Sequence, residues 1–393
     1  MSRYRLVPTP AQRTILAGHC AHARFIWNLA VEQQSWWNSG RRTAPGYGAQ
    51  AAQLTEARAA CQWLADGSQI VQQQALRDFT QAMSNYFAGT HGKPTWRKAG
   101  RHEGFRIVGV RPGHIRRLSS TVGEVWVPKA GWVRFRWSRA VPSAKSYRVK
   151  LDRAGRWHIA FAAIPAPVPG PGTGEIAGID RGVVVSAALS TGELLHCPGL
   201  RQAERVRLGR LQRKLAHARR GSRRRGRVRL AIARLKAREV DRRKDWAEKT
   251  TTTLARRFDV ICVEDLRITS MTRSAKSTLA EPGRNVRQKA GLNGGILASG
   301  WGVLVCRLED KAPGRVEKVN AAYTSQRCSA CGTVDAKARE SQAVFACRSC
   351  GYAGNADVNA ARNIAAGHAV TARGRSPLGG RMNREPQPLP LSV

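Results

Sequence analysis

The first hundred residues carry apolar side chains at helical spacing. Between residues 12 and 37 apolar residues recur every three or four positions, with polar residues between them. Residues 51–64 and 70–87 repeat this pattern. The pattern predicts a mainly helical segment at 11–100. We expect its Trp and Phe side chains to form core and not exposed platforms for stacking bases.

The next segment changes to an alternation of apolar and polar residues. VGEVWVPKAGWVRFRW and SYRVKLDRAGRWHIAFAAI alternate in this way, and Pro and Gly divide them into hairpins. We predict a small β-barrel over about 104–166, joined by a strand within residues 1–10. Its alternating basic residues suit a nucleic-acid backbone, with a plain solvated face as an equal alternative. These residues are Arg134, Arg136, Arg148, Lys150 and Arg153.

A linker precedes a second folded region. The uncharged run PAPVPGPGTG is rich in Pro and Gly, and we place the linker at 167–174. After it, IAGID and VICVE are typical of buried strands, and they end at Asp180 and Glu264. Further on, Asp357 opens DVNAARNIAAG, whose apolar spacing predicts a short helix. Residues 368–393 are expected to form a disordered tail.

An arginine-rich segment lies between the two strands. Residues 201–245 contain 19 Lys or Arg against four acidic residues, and their Leu and Ile spacing predicts two helices broken near Gly221 and Gly226. A third helix is predicted over 246–258. Because so basic a segment needs counterions, we interpret the helical pair as phosphate-binding and not as a merely solvated face. The Gly-, Ser- and Thr-rich stretch 269–295 predicts a mobile loop over a site.

The chain as a whole is strongly basic. Its 393 residues suffice for two or three domains, and 67 Lys and Arg against 26 Asp and Glu give a formal net charge of +41. Such a charge favours nucleic acid as the partner. A basic membrane-surface protein is the alternative, but the sequence shows no long apolar span and its charge is spread over the whole length. We therefore expect no membrane partner.

Two Cys-x-x-Cys pairs lie near the end of the chain. Cys328 and Cys331 form the first pair and Cys347 and Cys350 the second, with fifteen residues between the pairs. This spacing predicts a zinc ribbon, in which four thiolates bind one structural Zn²⁺ ion. Disulfides are the weaker interpretation for a chain without a secretory signal. The other five cysteines are scattered through apolar or helical stretches, which predicts reduced, buried thiols and a cytoplasmic location. They are Cys20, Cys61, Cys197, Cys262 and Cys306.

Three carboxylates stand out, each at the end of an apolar element: Asp180, Glu264 and Asp357. Each carboxylate alone is weak evidence for a metal site, and Asp357 alone would most simply be a helix N-cap. Carboxylates from distant segments that converge at one edge of a sheet can hold two divalent cations for phosphodiester cleavage. Mg²⁺ prefers such oxygen ligands and retains waters that can act as nucleophile.

GIDRG, VEDL and DVNAARNI, with the ribbon inserted before the last, resemble the split RuvC nuclease of the TnpB family. Members of that family are transposon-encoded RNA-guided DNA endonucleases, related to compact type V CRISPR effectors. The runs YRLVPTPAQ, PGRNVRQKAGLN and YTSQRCSACG, with Arg24 and Asn28, share the likeness. The resemblance implies an α/β multidomain fold with these parts: a β-barrel wedge domain at 1–10 and 101–166, a helical recognition domain at 11–100, a split RNase-H-like (RuvC) nuclease domain at 175–322 and 355–367, and a zinc ribbon at 323–354 that binds the target.

The resemblance also implies the chemistry. Asp180, Glu264 and Asp357 would bind two Mg²⁺ ions and catalyse cleavage of double-stranded DNA that is complementary to a bound guide RNA and lies beside a short flanking motif. Asp265 lies outside this set and is expected to be exposed or to support the site. Ala356 departs from the family pattern, where a charged residue often stands. A type V CRISPR effector, a guided protein that represses without cutting, and a conventional transposase without RNA remain alternatives.

Overall fold

The structure, a computed structural model, describes residues 2–36, 45–275, 282–341 and 343–373. The chain divides into two compact units, Met1–Pro165 with Leu208–Arg234 and Ala166–Arg207 with Leu235–Val393. Within the described ranges, no helix combines the length and the apolar character that crossing a membrane requires.

The first unit begins with a helical segment. A capping box starts its first helix: the Thr9 hydroxyl accepts from the Gln12 backbone N–H at 3.3 Å, and the Gln12 side chain accepts from the Thr9 N–H at 3.0 Å. The helices expected from the apolar spacing are present, close to the expected bounds. They are α1 (Pro10–Ser35), α2 (Tyr47–Ala60), α3 (Gln62–Asp66) and α4 (Gln69–Phe87).

The expectation that the Trp and Phe side chains of this segment form core is only partly correct. Trp27 and Phe79 are buried and meet edge to face, with ring centroids 5.5 Å apart. Phe25, Trp63 and Phe87 instead expose 44%, 45% and 73% of their surface. A helical period shows which face is apolar, but it does not show how much of that face a neighbouring element covers.

The strands of the first unit form two antiparallel sheets, a four-stranded sheet in the order β1-β7-β6-β2 and a three-stranded sheet in the order β3-β4-β5. A single bridge between Leu6 and Phe135 links them, and both contribute to one core with the helices. Whether they close into the expected barrel stays a prediction. The strands are β1 (Ser2–Arg5), β2 (Gly104–Val108), β3 (Ile115–Arg117), β4 (Val122–Val127), β5 (Gly131–Arg136), β6 (Ser146–Leu151) and β7 (Trp157–Phe161).

The second unit is built on a mixed sheet in the order β10-β9-β8-β11-β12, in which β8, β11 and β12 are parallel, β9 pairs antiparallel with β8, and β10 pairs antiparallel with β9. Ile179, Ile261 and Val263 are fully buried and pack against helices. Its strands are β8 (Ile176–Asp180), β9 (Ala187–Leu189), β10 (Leu194–Leu195), β11 (Val260–Glu264) and β12 (Val316–Val319). A small hairpin, β13 (Val344–Ala346) and β14 (Ala353–Asn355), follows.

The helices of the second half correct several sequence-based boundaries. The break between the arginine-rich helices lies at 218–222, whereas Gly226 is helical and the expected third helix at 246–258 is the end of one 35-residue helix. A strong run of helix-forming Arg, Leu and Ala outweighs one Gly. The helices are α5 (Gln202–His217), α6 (Arg223–Arg257), α7 (Ile268–Met271), α8 (Val286–Ser299), α9 (Trp301–Lys311) and α10 (Ala356–Arg373).

Other corrections concern segments expected to be irregular or buried. The predicted mobile loop at 269–295 contains most of α7 and most of α8, and residues 276–281 lie outside the described residues. A Cβ at Gly295 would lie 2.6 Å from Val183, so this glycine allows close packing and does not mark a turn. The expected tail at 368–393 begins inside α10, and 374–393 lie outside the described residues. Cys61 and Cys306, expected to be buried, are exposed.

Candidate active site and metal centre

Two candidate carboxylates lie side by side at one edge of the mixed sheet. Asp180 ends β8 and Glu264 ends β11, and these parallel strands are in register, with Val263 opposite Ile179. Both side chains therefore leave the sheet at its carboxyl edge, where a rigid strand can hold a carboxylate toward a ligand. Glu264 is 8% exposed.

The third carboxylate, Asp357, comes to the same place on the first turn of α10. This helix packs on β8 so closely that a Cβ at Gly178 would lie 2.0 Å from the Ala361 carbonyl oxygen. Only glycine fits at this crossing. Asn355 accepts from the backbone N–H groups of Asp357 and Val358 at 3.0 and 3.1 Å, which caps the helix and fixes Asp357 beside the strands.

The three carboxylates interact electrostatically. Burial, followed by the charges of Glu264 and Asp357, raises the pKa of Asp180 to about 7, while Arg339 opposes this shift. Burial also raises the pKa of Glu264, against the hydrogen bond from Thr324 and the charge of Arg181. Three acids that repel one another in a poorly solvated place have the character of a cation site.

The three carboxylates do not each bring an oxygen atom within 4.8 Å of the other two. Among the described residues, the only His, Cys, Asp and Glu group with every ligand atom within 4.8 Å of the others consists of cysteines. The acidic oxygens are therefore more widely spaced, and Arg339 Nη2 lies 2.8 Å from Asp357 Oδ1. The set offers oxygen ligands of the kind Mg²⁺ prefers, with Arg339 as a counter-charge.

Three residues that the sequence reasoning did not assign complete this site. Thr324 Oγ1 donates to Glu264 Oε1 at 3.0 Å, Arg181 donates to the Glu264 backbone carbonyl, and Arg339 pairs with Asp357. Arg181 lies within the motif GIDRG and Thr324 within YTSQRCSACG, so their positions in these motifs could have indicated that they belong to the site. Nothing in the pattern around Arg339 marks it. Asp265 is exposed, which is one of the two outcomes expected for it.

The four expected cysteines form one cluster. Cys328 Sγ lies 3.7 Å from Cys350 Sγ, and Cys331 Sγ lies 3.6 Å from Cys347 Sγ. Hydrogen bonds with Thr333 lower the pKa of the Cys331 thiol to about 6, whereas, against a hydrogen bond with the Tyr352 backbone, contacts with the other thiols raise the pKa of Cys350 to about 12. The cluster fits a tetrahedral zinc site.

The ribbon is joined to the helix that carries Asp357. Asn359 is fully buried, and its side chain donates to the Arg327 carbonyl and accepts from the Ser329 N–H, both at 2.8 Å. One turn later Asn363 donates to the carbonyls of Thr324 and Arg327, at 2.9 and 2.6 Å. The first cysteine knuckle and Thr324 are thus positioned against α10.

Comparisons with known proteins identify relatives of this chain. Three family models match: "Helix-turn-helix domain" at 2–42, "Probable transposase" at 158–275 and "Cas12f1-like, TNB domain" at 301–364. The "Putative RNA-guided DNA endonuclease InsQ" of Escherichia coli (strain K12) is 35% identical over 395 residues, which span 98% of this chain and 96% of that protein. The chain belongs to the TnpB family.

Further relatives are consistent with this TnpB-family assignment. A Streptomyces pristinaespiralis protein described in the same words, without the name InsQ, is 30% identical and spans 95% of this chain and 90% of its own length. A solved Cas12f1 complex with sgRNA and target DNA has a TM-score of 0.52 at 14% identity, over 91% of this chain and 83% of that one. The TnpB-family chain therefore has a Cas12f-like fold that includes a TNB domain with four clustered cysteines.

Proposed function

We propose that this chain is an RNA-guided DNA endonuclease of TnpB type, which binds a guide RNA and cleaves complementary double-stranded DNA beside a short flanking motif. The observation that carries the proposal is the meeting of Asp180, Glu264 and Asp357 at one sheet edge. The descriptions of its relatives support the dependence on RNA. Target sequence is then read by base pairing and the flanking motif by protein.

Asp180, Glu264 and Asp357 would hold two Mg²⁺ ions. Burial, followed by the charges of Glu264 and Asp357, raises the pKa of Asp180, and bound cations would relieve the repulsion between the three acids. Two such ions, when bound, supply Lewis acidity and an activated water for phosphodiester hydrolysis. The Thr324 hydroxyl restricts the rotation of the Glu264 carboxylate and so keeps it directed toward its ligand.

Arg339 is placed to bind the DNA backbone at the same site. Its guanidinium lies 2.8 Å from Asp357, and a guanidinium presents donors that match phosphate oxygens. Once cations occupy the carboxylates, Arg339 would exchange its contact with Asp357 for the phosphate of the cleaved strand. The ribbon at 323–354, which carries Arg339 and binds one Zn²⁺ ion, would thereby hold target nucleic acid at the carboxylates.

Guide RNA and the flanking motif are assigned to the first unit. The helical segment at 11–100 would serve as the recognition domain, and the sheets within 1–10 and 101–166 as the wedge. Arg136 and Lys150 are exposed on these sheets and Arg153 is exposed in the turn that follows β6, as a surface for phosphates requires. Action in the cytoplasm stays a prediction.

The decisive experiment is cleavage of a matched plasmid by the protein with its co-purified RNA. Asp180→Ala, Glu264→Ala and Asp357→Ala should each abolish cleavage while guided DNA binding survives. Asp265→Ala is the matched control, because Asp265 is the exposed neighbour of Glu264 and should leave the rate unchanged. Cleavage by Asp180→Ala at the wild-type rate would refute the assignment, and guided binding by the wild type without cleavage would favour the repressor alternative.

A further inference from the structure

The helical segment contains an aromatic recess that the proposed active site does not use. It has a volume of about 400 Å³ and lies beside α1. Phe25, Trp63 and Trp96 line it and expose 44%, 45% and 51% of their surface. Large aromatic side chains that share a concavity and remain this exposed mark a binding site, because burial within the fold would otherwise be favoured.

Trp96 is held in position although its own ring is exposed. The Trp27 indole N–H donates to the Thr95 carbonyl at 2.9 Å. Asn28 binds both backbone polar groups of Arg97, since its Nδ2 donates to the carbonyl at 3.0 Å and its Oδ1 accepts from the N–H at 2.7 Å. The Arg97 guanidinium also lies 3.5 Å from the centre of the Trp27 ring. The Trp96 backbone is therefore fixed before any ligand arrives, which lowers the entropy lost on binding.

The opposite wall is equally constrained. Trp63 meets Phe25 edge to face with ring centroids 5.3 Å apart, and it meets His22 in the same manner at 4.3 Å. His22 is buried, so this contact anchors Trp63 to the body of α1. The recess thus presents rigid flat rings and does not depend on loops that must order.

We propose that the aromatic recess binds an unpaired base of the guide RNA. Bases stack on exposed aromatic rings, and folded RNA offers unpaired bases in loops and bulges. The sequence HGKPTWRKAGR around Trp96 contains four basic residues and no acidic one. The next acid, Glu103, is already bound by Arg24 through both oxygens at 2.9 Å. Glu32 also lines the recess, so the excess of positive charge is on the loop that carries Trp96, where an RNA backbone would be attracted while a base enters the recess.

We assign the occupant as RNA and not DNA because the guide is the strand that a guided nuclease must bind before its target. This inference rests on the proposed function for the presence of a guide. It concerns RNA binding and makes no use of the carboxylates, so the two can fail separately.

The test compares the affinity of full-length variants for the co-purifying RNA, sequenced and resynthesised. Trp96→Ala and Trp63→Ala should each raise the Kd by about 5- to 150-fold, the range expected for loss of one base–aromatic stack. Trp96→Phe should retain most of the affinity. Phe87→Ala, at an aromatic side chain that is 73% exposed outside the recess, should change nothing. The dependence of log K on log salt should keep its slope in Trp96→Ala, because no phosphate contact is removed.

Crosslinking of the wild-type complex provides a second measurement that does not depend on the folding of a variant. RNA substituted with 4-thiouridine should crosslink to a peptide containing Trp96 or Trp63. Wild-type Kd in both alanine variants, or crosslinks that map only elsewhere, would overturn the proposal. A crosslink from substituted target DNA in place of RNA would refute RNA as the occupant. Failure of the wild type to bind any RNA would instead reject the proposed function itself.

Discussion

Gly178→Ala tests how the active site is assembled. Gly178 lies on β8 two residues before Asp180, and α10, which carries Asp357, crosses it. An added Cβ would lie 2.0 Å from the Ala361 carbonyl oxygen and 2.5 Å from the Ala365 nitrogen. Both are backbone atoms of the helix, so no side-chain rotation relieves the contact.

The expected effect follows from these distances. Non-bonded heavy atoms prefer a separation of about 3.5 Å, so α10 must move by roughly 1 Å or more. Overpacking of this kind costs about 1–3 kcal/mol. A displacement of about 1 Å at a catalytic group can lower the rate roughly 100-fold. We therefore expect Gly178→Ala to lower both the cleavage rate and the stability.

The assay measures plasmid cleavage, RNA affinity and thermal midpoint on the same preparations. Gly178→Ala should cleave about 100-fold more slowly and melt several degrees lower, with unchanged RNA affinity. Gly18→Ala is the control, because a Cβ there meets nothing within 4 Å and Ala is the better helix former. If Gly178→Ala kept wild-type cleavage and midpoint, the close crossing of α10 and β8 would be wrong.

Three further results are expected. Burial raises the pKa of Asp180 to about 7, so the stability that this group contributes is lost as pH rises through 7. In the absence of magnesium, Asp180→Asn should therefore have a higher thermal midpoint than the wild type at pH 8 but not at pH 4. Equal midpoints at pH 8 would contradict this shift. Arg339→Ala should slow cleavage and move its acid limb to higher pH, because Arg339 lowers the pKa of Asp180, whereas exposed Arg348→Ala should do neither. Cys347→Ser should abolish zinc binding, measured by mass spectrometry, and should also abolish cleavage, because the Asn359 contacts join the ribbon to the helix that carries Asp357. Cys306→Ser, at an exposed cysteine, should retain both zinc and cleavage.

Much of this protein could be anticipated from local patterns. The spacing of apolar residues predicted three N-terminal helices, of which the structure divides the second into α2 and α3, and two Cys-x-x-Cys pairs indicated a four-thiolate site. Both signals depend on neighbours along the chain. The motifs around Asp180, Glu264 and Asp357 pointed to the TnpB family, which the relatives confirm. Their catalytic roles stay predictions.

Only the tertiary structure decided how these parts meet. Nothing in the sequence distinguishes Gly178 from other strand residues, but α10 crosses the chain there. The fold of the ribbon likewise brings Arg339 to Asp357, 18 residues away. Trp96 is exposed, because hydrogen bonds from Trp27 and Asn28 fix its neighbours and leave its ring uncovered. Local periodicity determines which residues can form an element, but burial, pKa and contact depend on side chains that are distant in the sequence, and packing alone brings these together.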